Sequence, residues 1–156
     1  MAPVGWAASL WRGIIMIGWL IVGAGGAVAQ PQEVKVIRND RGGLVGARAV
    51  EIAALNAKGS RVELRGRICY SSCTMYLGAD DVCVLPDTTF GFHGPSRHGA
   101  VLDPPQFEHW SQVMAAHYRP PLHDWFLTTA RYDIHRIFRI SGAQLIALGY
   151  AACDTY

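Results

Sequence analysis

Charged residues are scarce in this sequence: of its 156 residues, 17% are charged and 51% are hydrophobic. The 14 Lys and Arg residues nearly balance the 12 Asp and Glu residues, and they form no basic run or arginine-rich stripe. The sequence therefore lacks the electrostatic footprint of a nucleic-acid-binding protein, and we expect no nucleic-acid partner. The frequent apolar residues also exclude a disordered chain, and the length is that of one domain.

Repeats and metal-binding patterns are missing as well. Cys69-x3-Cys73 lacks the second half of a zinc ribbon or finger, and the histidines outside the stretch that ends at His93 show no paired ligand spacing. These histidines are His98, His109, His117, His123 and His135. We therefore expect neither a metal nor another cofactor.

The first 29 residues have the pattern of an export signal. A single charge, Arg12, precedes an apolar stretch that ends in Ala27-Val-Ala29, which is typical of a secretory signal peptide cleaved after Ala29. The alternative is a retained membrane anchor, although the 17 residues from Gly13 to Ala29 are marginal for a hydrocarbon core of ~30 Å. We therefore expect a signal peptide or anchor at 1–29 and a periplasmic or secreted domain at 30–156, which contacts a membrane only if the first segment is retained.

All four cysteines lie in the expected mature domain. An even number of cysteines in an exported chain is typical of disulfides, and these four fit two bonds. The four are Cys69, Cys73, Cys83 and Cys153. Three pairings are open at this point.

The first half of the mature domain predicts a strand, a turn, a helix and a second strand. Polar and apolar residues alternate at 33–38 and again at 61–66, which indicates strands. Between them, a turn at 39–43 leads into helical spacing that starts at Leu44 and ends at Lys58-Gly59. This order is typical of a crossover that joins two parallel strands.

The second half predicts short strands followed by helices. Small residues at 68–78 lead into a short helical stretch, and 94–105 is a loop rich in Gly, Pro and Ser. The remaining elements are strands at 82–85 and 88–93 and helices at 106–118, 121–130 and 141–149.

Three features of the chain suit acyl transfer. Gly42-Gly43 lies between a strand and a helix, where backbone N–H groups can face an anion. Ser72 also lies between a strand and a helix, and His93 ends a strand. A hydroxyl, an imidazole that takes its proton, and backbone donors for an oxyanion are the groups that this reaction requires. Each feature alone is typical of a turn, a helix cap or a structural histidine.

In combination, the features resemble the Clp protease proteolytic subunit and crotonase superfamily. The turn Arg41-Gly-Gly43 precedes Ser72 by the 29 residues typical of the protease, and His93 follows Pro86 by the typical seven. The segment 140–150 is similar to the family's helix that ends at a Gly before the last strand. Cys69-Tyr-Ser-Ser-Cys-Thr is most similar to exported bacterial members with cysteines around the serine. The resemblance is dense from Val36 to Pro95 and looser up to Gly149.

This resemblance implies a role for each candidate site residue. Ser72 is the nucleophile, His93 the general base, and the N–H groups of Gly43 and Cys73 line the oxyanion hole. The family's triad acid falls near Ile137, which cannot orient an imidazole. Asp133 is the expected substitute, and Asp103 and Asp80 are weaker candidates.

The resemblance also implies a fold and a function. We expect an α/β domain with a truncated crotonase-like core of short, mostly parallel strands and helices. The expected function is that of an exported serine hydrolase, a peptidase acting on peptide or protein substrates. The alternative is a catalytically weak or inactive scaffold that serves as a binding or assembly module. Acyl-CoA chemistry ranks third because that cofactor is not expected outside the cytoplasm, and a homo-oligomer is expected by analogy with the superfamily's rings and trimers.

Overall fold

The structure, a computed structural model, describes Met1 and residues 31–154. The predicted signal peptide or anchor lies outside these residues, Met1 apart, while the chain from Pro31 onward forms one compact unit. Within 31–154, no helix combines the length and the apolar character needed to span a membrane.

One sheet, sheet A, is built from four parallel strands. Its order is β1 (Val34–Ile37), β2 (Arg61–Leu64), β4 (Asp81–Val84) and β7 (Ala151–Ala152). Each strand pairs in parallel with its neighbour, so the predicted parallel pairing of the first two strands is confirmed. At the edge, β1 leaves Val34 and Val36 exposed, whereas residues 62–64 of the inner strand β2 are buried.

Helix α1 (Val45–Ala57) connects β1 to β2, as the apolar spacing predicts. Its apolar face buries Ile52 and Leu55, and Gly59 follows its end with a φ of +64°. A positive φ after the last turn is the usual reason for a glycine at that position.

A second sheet, sheet B, has three strands. The strand β3 (Ile68–Tyr70) pairs in parallel with β5 (Thr89–Phe92), and β5 pairs antiparallel with β6 (Phe138–Ser141). A parallel bridge from Asp40 to Cys69 joins the segment after β1 to β3. The sequence did not predict β6 or the division of the strands between two sheets.

The remaining elements are short helices. A 3₁₀ helix (Ser71–Gly78) follows β3, and another covers Ala130–Tyr132. The predicted helices are confirmed as α2 (Pro104–Ala115), α3 (Leu122–Thr128) and α4 (Gly142–Ala147), each with different bounds from those expected. Ser141 begins α4 with a capping box, because its side chain accepts from the Gln144 N–H while the Gln144 side chain accepts from the Ser141 N–H.

Two disulfides settle the cysteine pairing. Cys69 bonds to Cys73, and Cys83 bonds to Cys153. The described residues include no free cysteine. The fold is thus α/β with mostly parallel strands, and it carries the disulfides that proteins acquire in oxidising compartments.

Candidate functional site

Gly43, Ser72 and His93 each lie a few residues beyond one member of a row of paired residues on neighbouring segments. Asp40 bridges Cys69, and Cys69 pairs with Phe90, so these three residues form one row across parallel segments. Each of the three candidate residues follows its member of the row by three positions. Neighbouring parallel strands lie ~4.8 Å apart. The three segments that follow the row therefore leave the sheet side by side, at the carboxyl ends of its strands.

Two residues in these segments have a positive φ. Gly42 has a φ of +99°, and Ser71 has a φ of +57°. A Cβ atom on Gly42 would lie 2.6 Å from the Cβ of Ser71, so a side chain has no room there. The glycine in the predicted turn is therefore required both by its φ and by the close approach of Ser71.

Ser72 is fully buried and its hydroxyl is hydrogen-bonded. Its Oγ donates to the carbonyl oxygen of Gly43 at 3.1 Å. This contact joins the two residues that the sequence separates by 29 positions. The nucleophile candidate is thus next to the predicted oxyanion turn.

His93 is half-buried and is held by its own neighbour. Its Nδ1 lies 2.8 Å from the carbonyl oxygen of Gly94. Because a carbonyl only accepts, Nδ1 carries the proton in this contact and Nε2 is left as the acceptor. That tautomer is the one that a general base for serine requires. Among residues 31–154, no hydrogen bond joins Ser72 to His93.

The position expected for a triad acid is occupied by an apolar residue. Phe92 of β5 and Phe138 of β6 form the last pair of this antiparallel ladder, and His93 and Ile137 are the next residue on each strand. The Ile137 side chain lies over Gly91, where a Cβ would come within 2.6 Å of Ile137 Cγ2. No carboxylate therefore enters the site from this segment.

Asp133 lies nearby but directs its carboxylate elsewhere. Its Oδ1 accepts from the N–H groups of His135 and Arg136 at 3.0 and 2.7 Å, and these bonds, the Arg136 one foremost, lower the pKa of the carboxyl group. Its backbone carbonyl accepts from the N–H of Gly94 at 2.9 Å. Within the part of the chain that the structure describes, no hydrogen bond links Asp133 to His93, so its role as an acid stays a prediction.

The two weaker candidates for the acid serve local structure. Asp103 is the N-cap of α2 and accepts from the Gln106 N–H at 2.9 Å. Asp80 exchanges hydrogen bonds with the side chain of Asn56. Both contacts explain these carboxylates without a part in catalysis.

The two expected oxyanion donors differ in their surroundings. The Gly43 N–H donates to no other residue within 31–154, and it precedes the first turn of α1, where the helix dipole favours negative charge. Cys73 follows Ser72 in the first turn of its 3₁₀ helix, and its side chain is fixed by the disulfide to Cys69. The disulfide thus encloses Ser72 within a five-residue loop.

A cavity of about 660 Å³ opens beside Gly43. The first turn of α1 forms one side, and the segment 95–98 with part of α2 forms the other. Its lining includes the apolar side chains of Leu44, Val45, Pro95, Leu102 and Trp110 together with Arg97, His98 and Gln106. A mainly apolar cavity with a few polar groups is typical of a ligand-binding site.

A charged cluster behind the turn was not predicted from the sequence. Asp40 accepts from the Gly42 N–H through Oδ1 and from Arg48 through Oδ2, each at 2.7 Å. Arg48 also donates to Glu51 at 3.0 Å and to the hydroxyl of Tyr76, and its guanidinium lies over the Tyr76 ring. Burial raises the pKa of the Tyr76 hydroxyl above its ordinary value. The sequence signal was weak, because these residues share no spacing motif.

The described residues contain no group of three or more His, Cys, Asp or Glu side chains arranged to hold a metal ion.

No protein-family model matches the chain, and no curated protein matches it either. The arrangement of the site is therefore the basis for any functional conclusion.

Proposed function

We propose that the protein is an exported serine hydrolase in which Ser72 is the nucleophile and His93 the general base. The observation that carries this proposal is the row Asp40–Cys69–Phe90, from which Gly43, Ser72 and His93 are each displaced by three residues. The two disulfides support export to an oxidising compartment. The crotonase-like core, with the oxyanion donors Gly43 and Cys73, is part of the same proposal.

The reaction begins with a rotation of one hydroxyl. The Ser72 Oγ–H turns from the Gly43 carbonyl towards Nε2 of His93, which takes the proton as Oγ attacks the substrate carbonyl carbon. The Gly43 N–H stabilises the oxyanion of the tetrahedral intermediate. His93 then returns the proton to the leaving group, and an acyl group remains on Ser72. Water repeats the sequence and releases the acid.

Gly94 takes over part of the role of a triad acid. Its carbonyl oxygen fixes the Nδ1–H tautomer of His93, although it supplies no negative charge to stabilise an imidazolium ion. We therefore expect slow hydrolysis that depends mainly on the oxyanion donors. The lining of the cavity includes Gly43 but neither Ser72 nor His93, and we propose that it binds an apolar side chain of a peptide substrate whose reacting carbonyl lies beside Gly43.

A serine-reactive fluorophosphonate tests this proposal. The oxidised protein is incubated with the probe, and the labelled residue is located by mass spectrometry. We expect labelling at Ser72 that disappears in Ser72→Ala and falls at least about 100-fold in His93→Ala. Matched controls are Ser71→Ala and His98→Ala, which alter a neighbouring serine and a cavity histidine and should retain labelling. Labelling that survives Ser72→Ala rules out this nucleophile.

The second candidate is a binding or assembly module with no hydrolase activity. The observation that favours it is the full burial of Ser72, whose hydroxyl donates its hydrogen bond to the Gly43 carbonyl and not to His93. The exposed edge strand β1 would then serve a partner. A correctly folded, oxidised wild-type protein that no fluorophosphonate labels would support this candidate over the hydrolase.

A further inference from the structure

We propose that Asp40 and Arg48 are positioning residues that hold the oxyanion turn in its reactive shape, an inference that rests on the proposed hydrolase function. Asp40 is the member of the row that precedes the turn containing Gly43. Neither residue contacts the cavity beside Gly43, so both act through the backbone of the turn.

The carboxylate of Asp40 fixes the turn from one side. Its Oδ1 accepts from the Gly42 N–H at 2.7 Å, while its backbone carbonyl accepts from the Tyr70 N–H at 2.9 Å. The first bond orients the peptide that enters Gly42, and the next peptide carries the Gly43 N–H. The second bond ties the same residue to the strand that leads into Ser72. Asp40 therefore sets the position of the oxyanion donor relative to the nucleophile.

Arg48 fixes the carboxylate from the other side. Its Nη2 donates to Asp40 Oδ2 at 2.7 Å, and its side chain is only 13% exposed. Its other contacts, with Glu51 on α1 and Tyr76 on the 3₁₀ helix, hold the guanidinium in one place. Because the bond to Asp40 is short and charge-assisted, it locks the rotamer that presents Oδ1 to Gly42.

Glu51 completes the cluster and keeps it charged. Burial raises the pKa of Glu51, but hydrogen bonds from Tyr76 and Lys35 and the charge of Arg48 outweigh that effect, so the net pKa lies below its ordinary value. The cluster therefore links β1, α1 and the 3₁₀ helix that carries Ser72. The cluster thereby fixes the turn with the Gly43 N–H relative to the helix with Ser72, and their relative placement decides how well an oxyanion is stabilised.

The test separates the rate of reaction at Ser72 from binding of the probe and from stability. Fluorophosphonate labelling is measured over a range of probe concentrations, giving a maximal rate and a half-saturating concentration for each variant, together with its melting temperature. We expect Asp40→Ala to lower the maximal rate by about 10- to 100-fold with the half-saturating concentration unchanged, because a misplaced donor affects the transition state.

Conservative variants grade the effect. Asp40→Asn keeps a side-chain oxygen for the Gly42 N–H but weakens the charge-assisted bond to Arg48, so it should lose about 3- to 10-fold. Arg48→Met should lie between Asp40→Asn and Asp40→Ala. Asp40→Asn also keeps the size of the side chain, so it carries the test if Asp40→Ala does not fold. A wild-type rate in a folded Asp40→Ala, or failing that in Asp40→Asn, overturns the inference.

Asp81→Ala is the matched control. It removes another aspartate–arginine ion pair, the more exposed one from Asp81 to Arg61 at 3.0 Å, at the amino end of β4 and away from the turn. It should lower the melting temperature without changing the labelling rate. Equal rate losses in Asp81→Ala and Asp40→Ala would show a merely structural role. If wild-type protein itself is not labelled, the proposed function fails and the inference with it; labelled wild type with unaffected Asp40 variants removes the inference alone.

Discussion

Ile137 and His93 are the residues next to Phe138 and Phe92, the pair that ends the antiparallel ladder of β5 with β6. The position suits a group that orients the imidazole, yet the side chain there offers neither charge nor hydrogen bond. The Gly94 carbonyl holds Nδ1 instead. A backbone carbonyl therefore holds the imidazole where the proposed mechanism would place a carboxylate.

Ile137→Asp is expected to increase the reactivity of Ser72. A carboxylate opposite His93 would stabilise the imidazolium ion that forms when Ser72 loses its proton, and we expect at least about a 10-fold higher fluorophosphonate labelling rate at pH 7. Ile137→Asn is the control, because it has nearly the same shape without the charge. Equal rates in the two variants would show that position 137 does not reach the imidazole.

Gly42→Ala is expected to destabilise the protein more than Gly59→Ala does. Both glycines have a positive φ, but only Gly42 has a neighbour, Ser71, within 2.6 Å of the added Cβ. We expect a loss of about 1 kcal/mol for Gly59→Ala and about 3 kcal/mol or more for Gly42→Ala. Urea unfolding measures both, and similar losses would mean that the turn moves away from Ser71 without cost.

The two disulfides are expected to differ in their contribution to stability. Cys83 and Cys153 are separated by 70 positions, whereas Cys69 and Cys73 are separated by four. Loop-closure entropy predicts a loss of about 4 kcal/mol for the Cys83→Ser/Cys153→Ser double variant and about 2 kcal/mol for Cys69→Ser/Cys73→Ser. Denaturant unfolding of the two double variants gives the comparison, and the reverse order would contradict it.

Acid is expected to destabilise the protein partly through Glu63. Hydrogen bonds from Arg65 and then Arg61 lower the pKa of this carboxyl group, whose side chain is 7% exposed. A carboxyl group with a lowered pKa in the folded state stabilises fully above its unfolded pKa of about 4.3, and that stabilisation is lost as the pH falls towards the folded value. Glu63→Gln should therefore lose less stability between pH 7 and pH 3 than wild type. Identical losses in urea titrations would contradict this assignment.

The first half of the fold followed from local patterns. Alternation at 33–38 and 61–66 and the helical spacing between them predict β1, α1 and β2. Helix α1 does bury one apolar face, whereas β1 at the sheet edge is mostly exposed and β2 inside the sheet is mostly buried. The turn at Gly42-Gly43 was also predictable, because few other residues adopt a positive φ there. The helix ends at Ser141 and Gly59 were predictable for similar local reasons: a serine side chain caps a helix start, and a glycine adopts the positive φ that follows a helix end.

The rest depends on contacts between distant residues. Strand β6 (Phe138–Ser141) was not predicted, because none of its residues is fully buried, Arg139 is exposed, and the strand pairs only with β5 among the described residues. The direction of the Ser72 hydroxyl depends on the Gly43 carbonyl, and the disulfide pairing depends on which strands meet. The cluster around Arg48 joins residues from three elements. None of these contacts has a local sequence pattern.

The row of Asp40, Cys69 and Phe90 has a consequence for the timing of any chemistry at Ser72. Its three segments are far apart along the chain, and each must find its parallel neighbour before Gly43, Ser72 and His93 meet. A chain that has emerged only as far as Ser72 has no base, and a chain with an unpaired segment has no oxyanion turn. Under the proposed function, only natively folded molecules would react at Ser72, so the stoichiometry of labelling would measure the folded fraction in a preparation.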